Sequence, residues 1–120
     1  MIFALASDDH GLMIFATEAD AVAYCESIDV VEGGWEFFAA DGAPLEAHFS
    51  QPASRGAVFV IPGKYTLRAA GGTRPTLSER LDTVTYVEGM PGVASVADVE
   101  RLLKALQSDR ARNARPSRGR

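Results

Sequence analysis

Cysteine is nearly absent from this chain: Cys25 is the only one among 120 residues. A single cysteine can form no disulfide within the chain and can supply no thiolate cluster for zinc. The two histidines, His10 and His48, fall in different predicted hairpins and match no HExxH pattern. We therefore expect no metal and no cofactor, and the near absence of cysteine fits a reducing, cytoplasmic location.

Long apolar runs and a basic leader are missing as well. The stretch MIFALASDDHGLMIF is apolar, but Asp8, Asp9 and His10 interrupt it. Its apolar runs of about five residues are too short for a membrane span or a signal peptide. They predict instead a hairpin of two buried, central strands, Ile2 to Ala6 and Leu12 to Ala16, and no membrane partner.

Positive charge is absent from residues 1–50, which hold ten Asp and Glu and no Lys or Arg. Residues 51–100 hold five of each sign, and residues 101–120 hold seven basic residues and one acidic residue, for a net charge of −4. This segregation predicts an acidic face and a basic tail, which is more typical of interaction surfaces than of catalysis. An evenly solvated surface is the alternative.

The length fits a single domain, which we place at residues 1–107. Residues 108–120, SDRARNARPSRGR, hold no apolar residue larger than alanine, so we expect a basic, disordered tail. The tail's arginines suit either phosphate contacts or solubility. Because no aromatic residue is interleaved among them and the folded part is acidic, we expect no nucleic-acid partner.

A helix is predicted from Glu18 to Ser27, with Thr17 as its N-cap and its apolar side facing inward. The stretch EGGWEFFAADGAPLEAHF, residues 32–49, then predicts a hairpin whose turn follows from side-chain parity. A three-residue loop, 40–42, with Gly42 left-handed, pairs Phe37 with Leu45 and Trp35 with Ala47, so that both apolar sets share one face.

On the outer face of this hairpin the same register sets Glu36 opposite Glu46, with Phe38 and His48 nearby. Like charges that face each other across a sheet are mildly destabilising, so an acidic pair beside an exposed aromatic ring indicates a contact site for a cationic partner. Coverage of Phe38 by a helix is an equally weighted alternative.

Further along, the residues 57–61 and 64–69 predict another hairpin around Pro62-Gly63. Thr76 and Glu79 form a capping box that opens a helix, while residues 83–88 fit either helix or strand. Ser95 with Asp98 caps a last helix with a clear apolar stripe. The predicted fold class is α+β: a mostly antiparallel sheet of hairpins, a helix in the N-terminal half, and C-terminal helices packed on one face.

We find no motif that names a reaction. Cys25 lies on the apolar side of its predicted helix, where a buried, inert thiol is expected. Residues 71–74, GGTR, lack the phosphate-loop lysine and indicate a flexible connector. No carboxylate sits in an apolar context that would perturb its pKa, so we expect a binding protein and not an enzyme.

The run EADAVAYCESIDVVEGGWEFFAADGAPLEAHF, residues 18–49, resembles a segment of small bacterial immunity proteins from contact-dependent growth inhibition and other polymorphic toxin systems. The similarity covers about a third of the chain and is a helix followed by a hairpin, without a catalytic signature. It implies direct binding of a toxin domain, with no catalysis and no cofactor.

We therefore expect a cytoplasmic, antitoxin-like immunity protein that blocks a basic toxin domain, such as a nuclease, because acidic surfaces complement cationic active sites. The residues expected to bind this partner are Asp20, Glu26, Asp29, Glu32, Trp35, Glu36, Phe38, Asp41, Glu46 and His48. One alternative is a small-molecule-binding or enzymatic domain with a pocket between the sheet and the C-terminal helices. Another is a homo-oligomeric interaction module, since the oligomeric state is left open.

Overall fold

A computed structural model gives the fold, and it describes the backbone of residues 1–114 and the side chains of residues 1–109. Within these residues the strands are β1 (Ile2–Ala6), β2 (Gly11–Phe15), β3 (Trp35–Ala39), β4 (Pro44–Gln51), β5 (Ser54–Arg55), β6 (Val60–Ile61), β7 (Lys64–Ala69) and β8 (Tyr86–Glu88). The helices are α1 (Glu18–Tyr24), α2 (Ser27–Val31), α3 (Leu77–Arg80) and α4 (Val96–Ala114), with a 3₁₀ turn at Leu81–Thr83.

The main sheet has the strand order β7-β4-β3-β1-β2-β8. All neighbouring strands in it are antiparallel except β2 and β8, which run parallel. The first hairpin forms as predicted, and β1 and β2 lie inside the sheet. The α+β fold with a mostly antiparallel sheet is therefore confirmed.

Side-chain alternation along the strands divides the core between the two faces of the sheet. On one face, strand residues such as Phe3 and Leu5 pack with Leu77 of α3 and Leu103 of α4. The other face carries a second cluster, composed of Ile2, Ala4, Ala21, Cys25, Phe37, Tyr65 and Leu67. The helices α3 and α4 thus cover one face, while α1 covers the opposite face.

The predicted helix Glu18 to Ser27 ends earlier than expected. Thr17 caps its start, since its hydroxyl accepts a hydrogen bond from the Asp20 N–H at 3.1 Å. At Cys25 the backbone turns extended, and its carbonyl accepts a hydrogen bond from the Tyr65 hydroxyl at 2.6 Å. The extended backbone at Cys25 ends the helix, and α2 starts separately at Ser27.

The loop of the β3–β4 hairpin agrees with the parity argument. Phe37 pairs with Leu45, and Phe38 pairs with Pro44. Gly42 has a φ of 88°, the left-handed conformation that the three-residue loop requires. The ladder between the two strands comprises these two pairs, so the predicted pairing of Trp35 with Ala47 does not form.

The hairpin predicted around Pro62-Gly63 is wrong. Strand β7 pairs with β4, whereas β6 pairs with β5 in a separate two-stranded sheet. Tyr65 and Leu67 explain this arrangement, because their burial beneath α1 places β7 against the core and leaves β6 outside. The capping box of Thr76 and Glu79 is present. In the segment 83–88, which the sequence left open, Thr83 ends the 3₁₀ turn and Tyr86–Glu88 form strand β8.

The last helix extends further than predicted. Ser95 caps it, accepting from the Asp98 N–H at 3.2 Å, and Val99 and Leu103 are buried against the sheet. The helix continues to Ala114, which corrects the expected disorder for residues 108–114; residues 115–120 lie outside the described residues. Extending a formed helix costs far less than nucleating one, and Ala and Arg are good helix formers.

None of the helices in the described part of the chain is both long and apolar enough to cross a membrane.

Candidate protein-binding surface

The residues expected to bind a partner are spread over several places in the fold. Asp20 lies exposed in the first turn of α1, and Glu26 lies exposed just before α2. Asp29 is exposed within α2, and Glu32 is exposed just after it. Glu36, Glu46 and His48 lie half-buried on β3 and β4, next to Phe38 and Trp35, and Asp41 is at the hairpin tip.

The carboxylates of the β3–β4 hairpin are balanced from within the protein. Glu36 Oε1 accepts a hydrogen bond from Arg80 Nη2 at 2.7 Å. Glu46 lies 3.7 Å from Arg74 and 3.0 Å from His48. Arg74 comes from the connection before α3, and Arg80 comes from α3 itself. The acidic pair Glu36 and Glu46, predicted to contact a cationic partner, therefore already has cationic neighbours within the protein.

Phe38 is not available to a partner. Its side chain is only 1% exposed and packs in the cluster that includes Phe3, Leu77 and Leu81. The expectation that Phe38 is an exposed anchor is therefore wrong, and the alternative, coverage by a helix, is correct. The apolar residues of α3 and α4 need an apolar strand face beneath them, and Phe38 supplies part of it.

Asp41 has a structural role at the tip of the hairpin. Its Oδ1 accepts a hydrogen bond from the Ala43 N–H at 3.0 Å, as turn aspartates do. Its main-chain carbonyl accepts from Gln107 Nε2 at 2.9 Å. Asp41 thus shapes the loop and ties it to α4.

The other carboxylates border a shallow groove where α2 meets the β1–β2 loop. The groove, which we call the acidic groove, has a volume of about 420 Å³ and is lined by Ser7, Asp8, Asp29, Glu32, Gly33, Gly34 and Trp35. The Gly34 N–H donates to the Asp29 carbonyl at 2.7 Å, and a Cβ on Gly34 would lie 2.9 Å from that oxygen. Glycine at this position therefore permits the close turn that forms the floor of the groove.

The β1–β2 loop is joined to this turn by two hydrogen bonds. The Ser7 hydroxyl donates to the Gly33 carbonyl at 2.7 Å, and the Ser7 N–H donates to the Gly34 carbonyl at 2.9 Å. These bonds bring Asp8 into the groove that Asp29 also lines, and the sequence did not predict this. The sequence marked Asp8 only as a carboxylate in a turn. The hydrogen bond that places it joins Ser7 to Gly33, 26 residues away, and such a contact has no signature in the local sequence.

One carboxylate of the groove is partly neutralised. Arg55 donates to both oxygens of Glu32, with its Nε and Nη2 each at 2.8 Å. This hydrogen-bonded pair holds the pKa of the Glu32 carboxyl below its usual value. Asp8 and Asp29 are then the groove carboxylates without an arginine among the ion pairs of the described residues.

Aromatic rings adjoin the acidic groove. Trp35, which lines it, meets the ring of Tyr24 edge-on at a centroid distance of 6.0 Å, and Tyr24 lies 5.4 Å from Phe15. Tyr24 is 55% exposed, so it offers a partly apolar surface. Carboxylates next to an exposed aromatic ring combine the features that a cationic protein partner recognises.

The enzymatic alternative concerns the thiol of Cys25, a possible metal site and a pocket beneath the C-terminal helices. Burial raises the pKa of the Cys25 thiol to about 12, and the side chain is fully buried. In the described part of the chain, no group of three or more His, Cys, Asp or Glu side chains is placed to hold a metal ion. The packed cluster around Phe38 lies between the sheet and the C-terminal helices, and a depression of about 450 Å³ lies beside it, between α3 and α4.

A second depression lies within the sheet, where β3 and β4 diverge beyond the Phe37–Leu45 pair. This β3–β4 cleft has a volume of about 540 Å³. The residues that line it are Val30, Val31, Trp35, Glu36, Phe37, Phe38, Pro44, Leu45, Glu46, Ala47, Phe49, Arg74 and Pro75. The side chains that close its end belong to α2.

Comparison with known proteins adds no relative to this description. A scan against protein-family models, a search of curated proteins and a search of solved structures each find no match. The arrangement of carboxylates, arginines and exposed apolar side chains therefore carries the functional argument.

Proposed function

We propose that this protein is an immunity-type binding protein that blocks a basic toxin domain, with the acidic groove at the centre of the contact. The observation that carries the proposal is the meeting of Asp8 and Asp29 in one groove beside exposed Tyr24. This groove belongs to a half of the chain that holds ten acidic residues and no Lys or Arg. The protein acts by occupying a surface, without a reaction of its own.

Electrostatics supports this choice of partner. A nuclease domain has a cationic active-site cleft because it must bind phosphate, and a carboxylate-rich face steers such a cleft toward it. Steering of this kind raises the association rate and declines with salt. Tyr24 and Trp35 supply the desolvated contact that charges alone do not provide.

The centre of the proposed contact differs from the one predicted from the sequence. Glu36 and Glu46 have their own arginines, so they offer a partner little net charge. The carboxylates of the α1–α2 segment, Asp20, Glu26 and Asp29, remain exposed and extend the acidic surface beyond the groove.

Affinity capture from cells that make the native chain, followed by mass spectrometry, tests whether a basic protein partner exists. Once purified, the partner's association rate is measured against the double variant Asp8→Lys/Asp29→Lys. We expect an association rate about tenfold or more lower at low salt, and a weaker salt dependence. Glu88→Lys/Glu100→Lys is the matched control, since it also reverses two carboxylates and makes the same charge change at exposed sites on β8 and α4.

Two results contradict the proposal. The first is a capture that recovers no basic protein. The second is a partner whose association rate is equally affected by Glu88→Lys/Glu100→Lys and by reversal of the two groove carboxylates, because the attraction would then come from net charge alone. Far-UV circular dichroism of each variant confirms that it retains the fold.

A further inference from the structure

Four adjacent apolar residues are exposed along β6 and in the turn before it. We call residues 58–61 the apolar tip; the exposed fractions are 90% for Val58, 67% for Phe59, 38% for Val60 and 47% for Ile61. No charged side chain occurs from residue 56 to residue 63. One exposed apolar side chain is ordinary on a protein surface, whereas four in succession indicate a contact site.

The apolar tip is held in a fixed position. The Gly56 N–H donates to the Phe59 carbonyl at 2.9 Å, which closes the turn, and β6 pairs with β5. At the base, the Gly63 N–H donates to Ser27 Oγ of α2 at 2.8 Å. A two-stranded ribbon by itself is only marginally stable, so this bond to α2 helps to fix it. A side chain presented from a fixed turn loses little conformational freedom on binding, which favours a tight contact.

The apolar tip adjoins the acidic groove. Arg55 of β5 donates to both oxygens of Glu32 at 2.8 Å, and Glu32 lines the groove. The pKa of Arg55 is raised chiefly by these hydrogen bonds and also by the charge of Asp29, so Asp29 lies within electrostatic reach of β5. In the tip, Val60 pairs directly with Arg55. The tip and the groove therefore share a border and can contact the same partner.

The charges beside the apolar tip indicate what kind of partner covers it. Glu26, Asp29 and Glu32 are exposed on or beside α2. The cations next to the tip along the chain are Arg55 and Lys64, and Arg55 is already bound to Glu32. A second copy of the chain would bring two such acidic surfaces together, and an anionic lipid surface would be repelled in the same way. A cationic protein surface is instead attracted.

We propose that the apolar tip anchors the contact with the basic toxin domain, and that Phe59 is buried in an apolar pocket beside the partner's cationic cleft. Because this partner is the one named in the proposed function, the anchor depends on that function and adds the apolar half of the recognition. Aromatic side chains in desolvated pockets carry much of the binding energy of protein interfaces. The groove carboxylates then govern association, whereas the tip governs dissociation.

The area of a stable contact requires more surface than the groove offers. A standard interface buries about 800 Å² on each partner. The exposed surface of the apolar tip is roughly 400 Å², taking about 150–200 Å² as the full surface of each residue. The tip therefore supplies about half of the area that a stable complex needs, in a position next to the groove.

Dissociation of the purified complex, followed by surface plasmon resonance, tests the anchor. Phe59→Ala leaves the charge unchanged and should raise the dissociation rate about thirtyfold or more, with little change in the association rate. This effect should persist at about 1 M salt, where charges are screened beyond about 3 Å. Leu106→Ala is the control, since it truncates a half-buried apolar side chain near Ala39, at the opposite end of β3 from Trp35. It should leave dissociation unchanged.

The outcomes separate the anchor from the proposed function. If association with a basic partner depends on the groove carboxylates, yet Phe59→Ala dissociates as slowly as the native chain, the function stands and the anchor is wrong. A capture that recovers no basic protein overturns both.

Two measurements on the chain alone test other occupants of the apolar tip. A dimer in sedimentation equilibrium that Phe59→Ala converts to a monomer would assign the tip to a second copy. Binding to phosphatidylcholine vesicles that Phe59→Ala abolishes would assign it to a lipid surface. Either result overturns the proposal.

Discussion

Replacing Phe38 with alanine should strongly destabilise this protein. The ring is 1% exposed, and Phe38 pairs directly with Phe3 on the neighbouring strand β1. Leu77 and Leu81 cover the same cluster from α3 and the turn that follows it. The cavity left by the ring is thus bounded by paired strands on one side and by helical residues on the other, and neither side can collapse readily into it.

The expected cost is about 4 kcal/mol, within the range of about 3 to 5 kcal/mol for buried Phe→Ala changes. Domains of this size are stable by only about 5 to 15 kcal/mol, so a large part of the free energy of unfolding is lost. With an m-value of about 2 kcal/mol/M, the urea midpoint should fall by about 2 M.

Urea denaturation followed by circular dichroism measures this loss. Phe38→Leu keeps most of the volume and should cost less than about 1.5 kcal/mol. Phe59→Ala removes a ring that is 67% exposed and should change the stability by less than about 0.5 kcal/mol. A Phe38→Ala cost below about 1 kcal/mol, or one equal to that of Phe59→Ala, would refute the placement of this ring in the core.

Three further outcomes are expected. Gly42→Ala should lower the free energy of unfolding by about 1 to 2 kcal/mol in urea titrations, because φ is 88° there and the new Cβ lies 3.4 Å from Leu103; an unchanged midpoint would contradict the turn. Cys25, with a pKa raised to about 12 by burial, should resist a thiol reagent at pH 8 until urea unfolds the chain, and rapid labelling would contradict its burial. Arg55 lowers the pKa of the Glu32 carboxyl, so this group contributes stability that is present above its unfolded pKa of 4.5 and is lost as the pH falls through the lower folded pKa. Glu32→Gln should therefore weaken the acid dependence of the melting temperature in thermal melts. An unaltered pH profile would contradict the pairing of Glu32 with Arg55.

Local signals predicted several parts of the fold correctly. Thr17 and Thr76 were recognised as helix caps because their partners lie within a few residues along the chain. The loop at Gly42 followed from side-chain parity, since a shift of one residue would turn every apolar side chain of the strand to the wrong face.

Pairings between distant segments were harder to predict from the sequence. Proline and glycine at 62–63 suggest a hairpin turn, yet β7 joins β4 because Tyr65 and Leu67 are buried there. The strand β6 is thereby left on the outside, and its exposed apolar side chains could not be foreseen from a sequence that reads as an ordinary buried strand.

The binding surface, too, was predicted only in part from the sequence. Composition alone identified an acidic first half without Lys or Arg, since charge counts need no fold. It did not reveal that Arg80 would meet Glu36, which lies 44 positions earlier in the chain, or that Asp8 and Asp29 would line the same groove.

The sequence by itself determined the α+β class, the first hairpin and the caps, because these follow from side-chain period and short-range hydrogen bonds. Tertiary structure alone decided that Phe38 is buried, that the carboxylates of β3 and β4 are paired with arginines, and that the apolar side chains at 58–61 remain exposed. The physical reason is that burial and ion pairing depend on which distant segments pack together, and the local sequence around a residue does not determine this.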